Sequence, residues 1–170
     1  PEAGHGDRAK PESQGGAVEM GTHGFADIEA GRIHWQCDGN GPPVVLLGGG
    51  MLDARLWDSN IDPLAQRYTV VRCDLRGYGR SSLPNETICR HCDDVRALID
   101  HLGLEEVCIG GQSLCGSIAI DVAPAHPDDV RGLIDHVGHY PNLEDPTLLD
   151  ELTLGFLDRL HAGVPRRSIE

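Results

Sequence analysis

The sequence predicts an α/β fold: a doubly wound, mostly parallel sheet with flanking helices. Three observations carry that expectation. Short apolar strands alternate with segments of helical period from residue 43 onward, the order that builds parallel sheets. The run "VVLL", Val44 to Leu47, is apolar at every position, as a strand covered on both faces must be. In "ETICRHCDDVRALIDHLG", Ile88, Cys92, Val95, Leu98, Ile99 and Leu102 share one helical face before a stop at Gly103. The chain has 170 residues, 39% of them hydrophobic, enough for one core that buries roughly 70% of the unfolded surface.

Taken in order, residues 1–20 are rich in Gly, Pro and charge without periodicity, and read as a mobile tail. "FADIEA" and "RIHWQC" alternate about Gly31 and predict a hairpin. After the strand at 44–47, residues 56–67 carry helical spacing, with Pro63 marking a broken start. "YTVVRCD" is the next strand, and "LRGYGRSSLPN" a Gly-rich loop in which Arg76 is expected to tie the loop to the sheet. The helix ending at Gly103 follows, then a strand at 107–110, a helix from about Leu114 to Ala123, and the strand "VRGLID". A last helix has Asp145 as N-cap and Pro146 in its first turn, with Leu149, Leu152, Phe156 and Leu160 on one stripe. The structured core is placed at 21–140, and 141–170 hold that helix and a C-terminal tail. No internal repeat is present.

Composition narrows the partners. A net charge of −13 repels nucleic acid and anionic membrane surfaces alike. No apolar run approaches a membrane span and no signal-type segment opens the chain, so a cytoplasmic protein is expected. The six cysteines show no framework spacing and are expected to be reduced. Cys89 and Cys92 form a C-x-x-C without a second pair of ligands, and Cys92 falls on an apolar helical face. Packing outweighs a metal or redox role there, and no metal or cofactor is expected.

The stretch "VCIGGQSLCGS" carries the chemistry. An apolar strand leads into Gly111-Gln112-Ser113-Leu114, and a helical pattern follows. This is the setting of a nucleophile elbow, G-x-S-x-G, with Cys115 in place of the last glycine and Gly116 one residue later. The alternative for Ser113 is a turn serine that caps the following helix.

Together with "VVLLGGG", "CDLRGYGRSS" and "AHPDDVRGLI", this stretch resembles the α/β-hydrolase fold family, in the family's own motif order, over roughly residues 25–140. The resemblance implies that Ser113 is the nucleophile. The oxyanion donors it implies are the backbone N–H of Leu114 and one from the loop Gly49–Met51, with Gly50 the chosen donor and Gln112 beside the substrate. The implied triad order is Ser, then Asp or Glu, then His. Asp135 with His136 or His139 is the local acid and base pair, and His161 lies beyond the closing helix. Three departures accompany the resemblance: Cys115 in the elbow, glycine where the oxyanion loop usually has His, and a sequence expected to stop before the family's last two strands. The helix in 141–170 is expected to be cap-like. The implied activity is a serine hydrolase acting on a small carboxylic ester or lactone. A catalytically silent, truncated relative that binds a ligand or a protein is the alternative. An exposed sheet edge would then suit pairing with a second copy of the chain.

Overall fold

The computed structural model describes residues 21–29, 31–48, 50–84, 90–125, 127, 129–135 and 145–162. The tail expected at 1–20 lies outside the described residues. β1 (Thr22–Ile28) and β2 (Gly31–Asp38) form the expected antiparallel hairpin, with Ile28 opposite Gly31. Gly31 turns the chain at φ +141°, a backbone geometry that side chains disfavour. β2 pairs antiparallel with β4 (Thr69–Asp74). β3 (Pro43–Gly48) lies parallel between β4 and β5 (Val107–Gly111), and β6 (Val130–Asp135) runs parallel beside β5. The order is β1-β2-β4-β3-β5-β6. Since β3 precedes β4 in sequence yet lies inside it, the chain winds both ways from the centre, as the alternation of strands and helices predicts.

Period-two geometry distributes the core. Val45 and Leu47 of β3 join Val71, Cys73 and Ile109 on one face, under α2 (His91–Leu102) and α3 (Leu114–Ala125). Val44 and Leu46 join Val70, Cys108 and Ile134 on the other. That face is covered by a 3₁₀ turn (Ala54–Trp57), α1 (Asp58–Ala65) and α4 (Pro146–His161). All four residues of "VVLL" are at most 1% exposed, so the strand is central, as its unbroken apolar run requires. α2 ends at Gly103 with φ +62°, the left-handed cap expected there; Ile88 and Cys89 lie outside the described residues.

Two expectations need correction. Arg76 ties its loop to α2 rather than to the sheet: its guanidinium is buried against the Asp94 carboxylate, with Nε donating at 2.9 Å. A buried guanidinium needs a carboxylate, and Asp94 in the first turn of α2 supplies one. In α4 the buried positions are Leu149, Thr153 and Leu157, with Phe156 and Leu160 partly buried, while Leu152 is 57% exposed. This helix, expected as a cap, packs against α1 and the sheet. Asn60 donates to Asp150 at 2.8 Å, and Tyr68 Oη donates to Asp158 at 3.0 Å. The apolar residues Val44, Leu46 and Ile134 need a cover on this face, and α4 shares in it with α1 and the 3₁₀ turn.

Candidate active site

β5 ends at Gly111 because the next helix comes back almost on top of it. A Cβ on Gly111 would lie 2.4 Å from the carbonyl carbon and oxygen of Cys115 and 2.8 Å from the Gly116 nitrogen. The turn between them is closed by Cys115 N–H donating to the Gln112 carbonyl at 3.0 Å and Ser117 N–H to the Ser113 carbonyl at 3.2 Å. Ser113 itself sits at φ +54°, a left-handed conformation that costs a non-glycine residue on the order of 1–3 kcal/mol. It is exposed at the carboxyl end of β5, directly before the first residue of α3. The geometry is that of the elbow the sequence predicts, and it arises with Cys115 in the final position. Cys115 is 1% exposed, and burial pushes its thiol up to about 11. A neutral, enclosed thiol packs; it does not react.

The glycine loop after β3 closes on the same point. Gly48 has no room for a side chain, since its Cβ would lie 2.4 Å from the Ala54 nitrogen. Gly50 and Met51 then run at φ +65° and +82°, and Met51 is exposed. A Cβ on Gly50 would stand 3.6 Å from the Cβ of Leu114, so the loop backs directly onto the residue that follows Ser113. Leu114 N–H is the first amide of α3, and such amides lack an intrahelical partner. Gly49 lies outside the described residues. The loop's far end has an anchor that sequence reasoning missed. Asp74 Oδ1 accepts Ala54 N–H at 2.7 Å, Oδ2 accepts Arg80 N–H at 2.9 Å, and Trp57 Nε1 donates to the Leu47 carbonyl at 3.1 Å. The signal was present in "CDLRGYG": an aspartate at a strand end, opposite a glycine turn that supplies backbone donors.

The acid and base positions divide. Asp135 closes β6 with its Cα in register with Gly111, which places its backbone at the carboxyl edge of the sheet beside the elbow. Its side chain, His136 and His139 lie outside the described residues. His161 packs at the other end of the sheet: its ring is 5.9 Å from that of Tyr68, which immediately precedes β4, and it shares a cleft with Pro42, just before β3. The parallel strands span five or six residues, close to 20 Å, so His161 is too far from Ser113 to act on it. His34 lies beside Asp74, His91 beside Asp94 and His101 beside Trp35. Among the described residues no side chain hydrogen-bonds the Ser113 hydroxyl. No group of three His, Cys, Asp or Glu among them is arranged to hold a metal ion, and no helix among them is long and apolar enough to cross a membrane.

The sequence model for the alpha/beta hydrolase fold matches residues 42–163, from the start of β3 to the end of α4. The chain belongs to the α/β-hydrolase fold family. It is similar to the soluble epoxide hydrolase of Corynebacterium sp. (strain C12), with 38% identity over 100 residues that cover 58% of this chain and 35% of that one. Among solved structures it is similar to the epoxide hydrolase CorEH, at 37% identity and TM-score 0.63, covering 67% of this chain and 41% of that one. It is also similar to a thermophilic esterase from Thermogutta terrifontis, at 28% identity and TM-score 0.61, covering 67% and 44%. The chain spans about a third of the length of the curated relatives it matches. The α/β-hydrolase fold accounts for the strand order, for the elbow after β5 and for the glycine loop after β3.

Proposed function

We propose that this chain carries the nucleophile and oxyanion half of a serine hydrolase acting on a small carboxylic ester or lactone. The observation that carries the reading is Ser113 at φ +54°, exposed between β5 and α3, with Gly50 set against Leu114. Ser113 Oγ attacks the carbonyl carbon, the C=O π pair moves onto oxygen, and the hydroxyl proton passes to a base. The resulting oxyanion is met by the N–H groups of Leu114 and Gly50, with Gln112 and the residues 49–51 around the substrate. A preorganised donor of this kind lowers the barrier by about 2.7–4 kcal/mol. Collapse expels the alkoxide, protonated by the same base, and leaves an acyl-serine that water then cleaves. Asp135 with His136 or His139 is the proposed source of the base and its orienting acid.

Ester cleavage is preferred to epoxide opening here because the group on the elbow is a hydroxyl. The ester of a serine formed in an acyl transfer is itself readily hydrolysed, whereas an alkyl ether formed by opening an epoxide is not. The experiment is labelling with a fluorophosphonate probe, with Ser113→Ala as control. Covalent label on the peptide containing Ser113, absent from the variant, supports the reading. An unlabelled wild-type chain, under conditions that label an active esterase, would reject it in favour of the ligand-binding alternative. That alternative draws on the absence, among the described residues, of a side chain hydrogen-bonded to the Ser113 hydroxyl.

A further inference from the structure

Among the described residues, the glycine loop after β3 is held at its two ends and not between them. At its start, Gly48 lies opposite Asp74 in the pairing of β3 with β4, and its carbonyl accepts Leu75 N–H at 2.8 Å. Gly50, Met51 and Leu52 make no hydrogen bond among the described residues, and the side chains of Met51 and Leu52 are exposed. Asp53 turns its carboxylate onto Arg55 and caps the 3₁₀ turn of its own segment. Ala54 is the first residue past the loop to bond to another element: its N–H enters the Asp74 carboxylate at 2.7 Å. The two ends touch, since a Cβ on Gly48 would overlap the Ala54 nitrogen.

The Asp74 carboxylate that takes this bond is itself walled in. It is 3% exposed, and its second oxygen accepts Arg80 N–H at 2.9 Å with His34 Nδ1 3.4 Å away. A Cβ on Gly79 would overlap it, so the turn at φ +52° is what leaves it room. β2 fixes the backbone behind it: His34 N–H donates to Ser81 Oγ at 2.8 Å, and Ser81 Oγ donates to the Asp74 carbonyl at 2.6 Å. A hydrogen bond to an ionised carboxylate is about twice as strong as one between neutral groups. The far end of the loop is therefore set by a charged acceptor with little freedom to move.

We infer that Asp74 is a positioning residue for the proposed acyl transfer: by fixing Ala54 it keeps the Gly50 N–H on the oxyanion that forms at Ser113. The inference rests on that reading of Ser113 and Gly50. Three consecutive glycines, Gly48 to Gly50, supply no side chain to orient the Gly50 amide, and glycine is the residue with the widest backbone freedom. The direction of that amide then depends on where the two ends of the loop are placed. An oxyanion donor lowers the barrier only when it is aimed before the reaction begins. Asp74 touches the loop and not the substrate, so its loss should act on the reaction step and leave binding in place.

The test follows the rate of fluorophosphonate labelling in the wild type, Asp74→Ala, Asp74→Asn and Leu157→Ala. Asp74→Ala removes both acceptor oxygens, and Asp74→Asn sets an amide donor against one of the two backbone N–H groups. In both, labelling at saturating probe should slow about 10- to 100-fold, with the half-saturating concentration within about twofold of wild type. Leu157→Ala opens a cavity on α4 beside Asp158, whose partner Tyr68 precedes β4 at the other end of the sheet. It should lower the urea midpoint and leave labelling of the folded protein unchanged, as would Asp74 if its role were structural only. A second readout is independent of Ser113 chemistry. In the ¹⁵N-labelled chain, the Ala54 amide should lose protection from exchange and the ¹H–¹⁵N NOE of Gly50 and Met51 should fall, in both Asp74 variants and not in Leu157→Ala. An unlabelled wild-type chain rejects the acyl-transfer reading, and loss of order at Gly50 then still supports its dependence on Asp74. Order at Gly50 unchanged in a folded Asp74 variant, or labelling of that variant at the wild-type rate, overturns the inference. Asparagine keeps the volume of the side chain, so Asp74→Asn carries the test if Asp74→Ala does not fold.

Discussion

Gly111 and Cys115 stand so close that a Cβ on the glycine would lie 2.4 Å from the backbone carbonyl of the cysteine. The contact is backbone to backbone, so no rotamer change can relieve it. Gly111→Ala must therefore push the first turn of α3 away from β5. We expect a loss of about 1–3 kcal/mol, the usual cost of overpacking a tight core, seen as a lower urea midpoint at unchanged slope. The shift also moves Leu114 N–H away from Gly50, so fluorophosphonate labelling of Ser113 should fall further than stability does. An alanine variant as stable as the parent would show that strand and helix are not in contact.

The cysteines should divide sharply in reactivity. Burial pushes the thiols of Cys37, Cys108 and Cys115 up to about 11 and that of Cys73 higher still, while Cys92 is only partly buried. With iodoacetamide at pH 8, the peptide His91–Arg96 should be alkylated well before those containing the other four. Trypsin cuts after Arg90, so mass spectrometry reads Cys92 apart from Cys89. Alkylation of Cys115 in native conditions at the rate of Cys92 would contradict its enclosure by the elbow.

Much of this architecture was legible in the sequence because it rests on local pattern. The hairpin follows from alternation about Gly31, the centrality of β3 from four consecutive apolar residues, and the elbow from a small-residue turn between strand and helix. What was not legible depends on which surface a segment meets. The stripe Leu149, Leu152, Phe156 and Leu160 is a valid helical face, yet the sheet buries Leu149, Thr153 and Leu157, rotated from it. Periodicity fixes the existence of a face and leaves its partner open. Arg76 shows the same limit: a lone arginine in a loop does not say which carboxylate it will find, and Asp94 is eighteen residues away. The anchor of the glycine loop on Asp74 takes backbone amides as its donors, so the strand-end aspartate in "CDLRGYG" marks the acceptor while the residues that donate to it carry no side-chain pattern.

Acid should weaken the fold through histidine before it does so through carboxylates. Desolvation lowers the pKa of His34 from its ordinary 6.5, opposed by Asp74 and reinforced by Arg80 and His23, and burial lowers His91 and His161 in the same direction. The unfolded chain therefore binds these protons more readily than the folded one. Stability from this source is fully present above pH 6.5 and is lost as pH falls below 6.5 towards the lowered folded values. The melting temperature should drop between pH 7 and pH 5. His34→Asn, which cannot titrate, should flatten that slope, and an unchanged slope would place the linkage on the other two histidines.

The strain at Ser113 can be separated from its chemistry. At φ +54° a side chain is disfavoured by on the order of 1–3 kcal/mol, whereas glycine adopts this region freely. Part of the relief is offset by the larger backbone entropy of glycine in the unfolded chain, about 0.5–1 kcal/mol. Ser113→Gly is then expected to raise stability by roughly 0.5–2 kcal/mol, the difference between those costs. Ser113→Ala keeps the Cβ and should leave stability close to that of the parent. Both variants should lose fluorophosphonate labelling, so they differ in stability alone. Urea unfolding of the three proteins makes the comparison. If glycine and alanine were equally stable, the elbow would not be strained, and the exposed hydroxyl would owe its position to packing around α3 rather than to a turn held against its backbone preference.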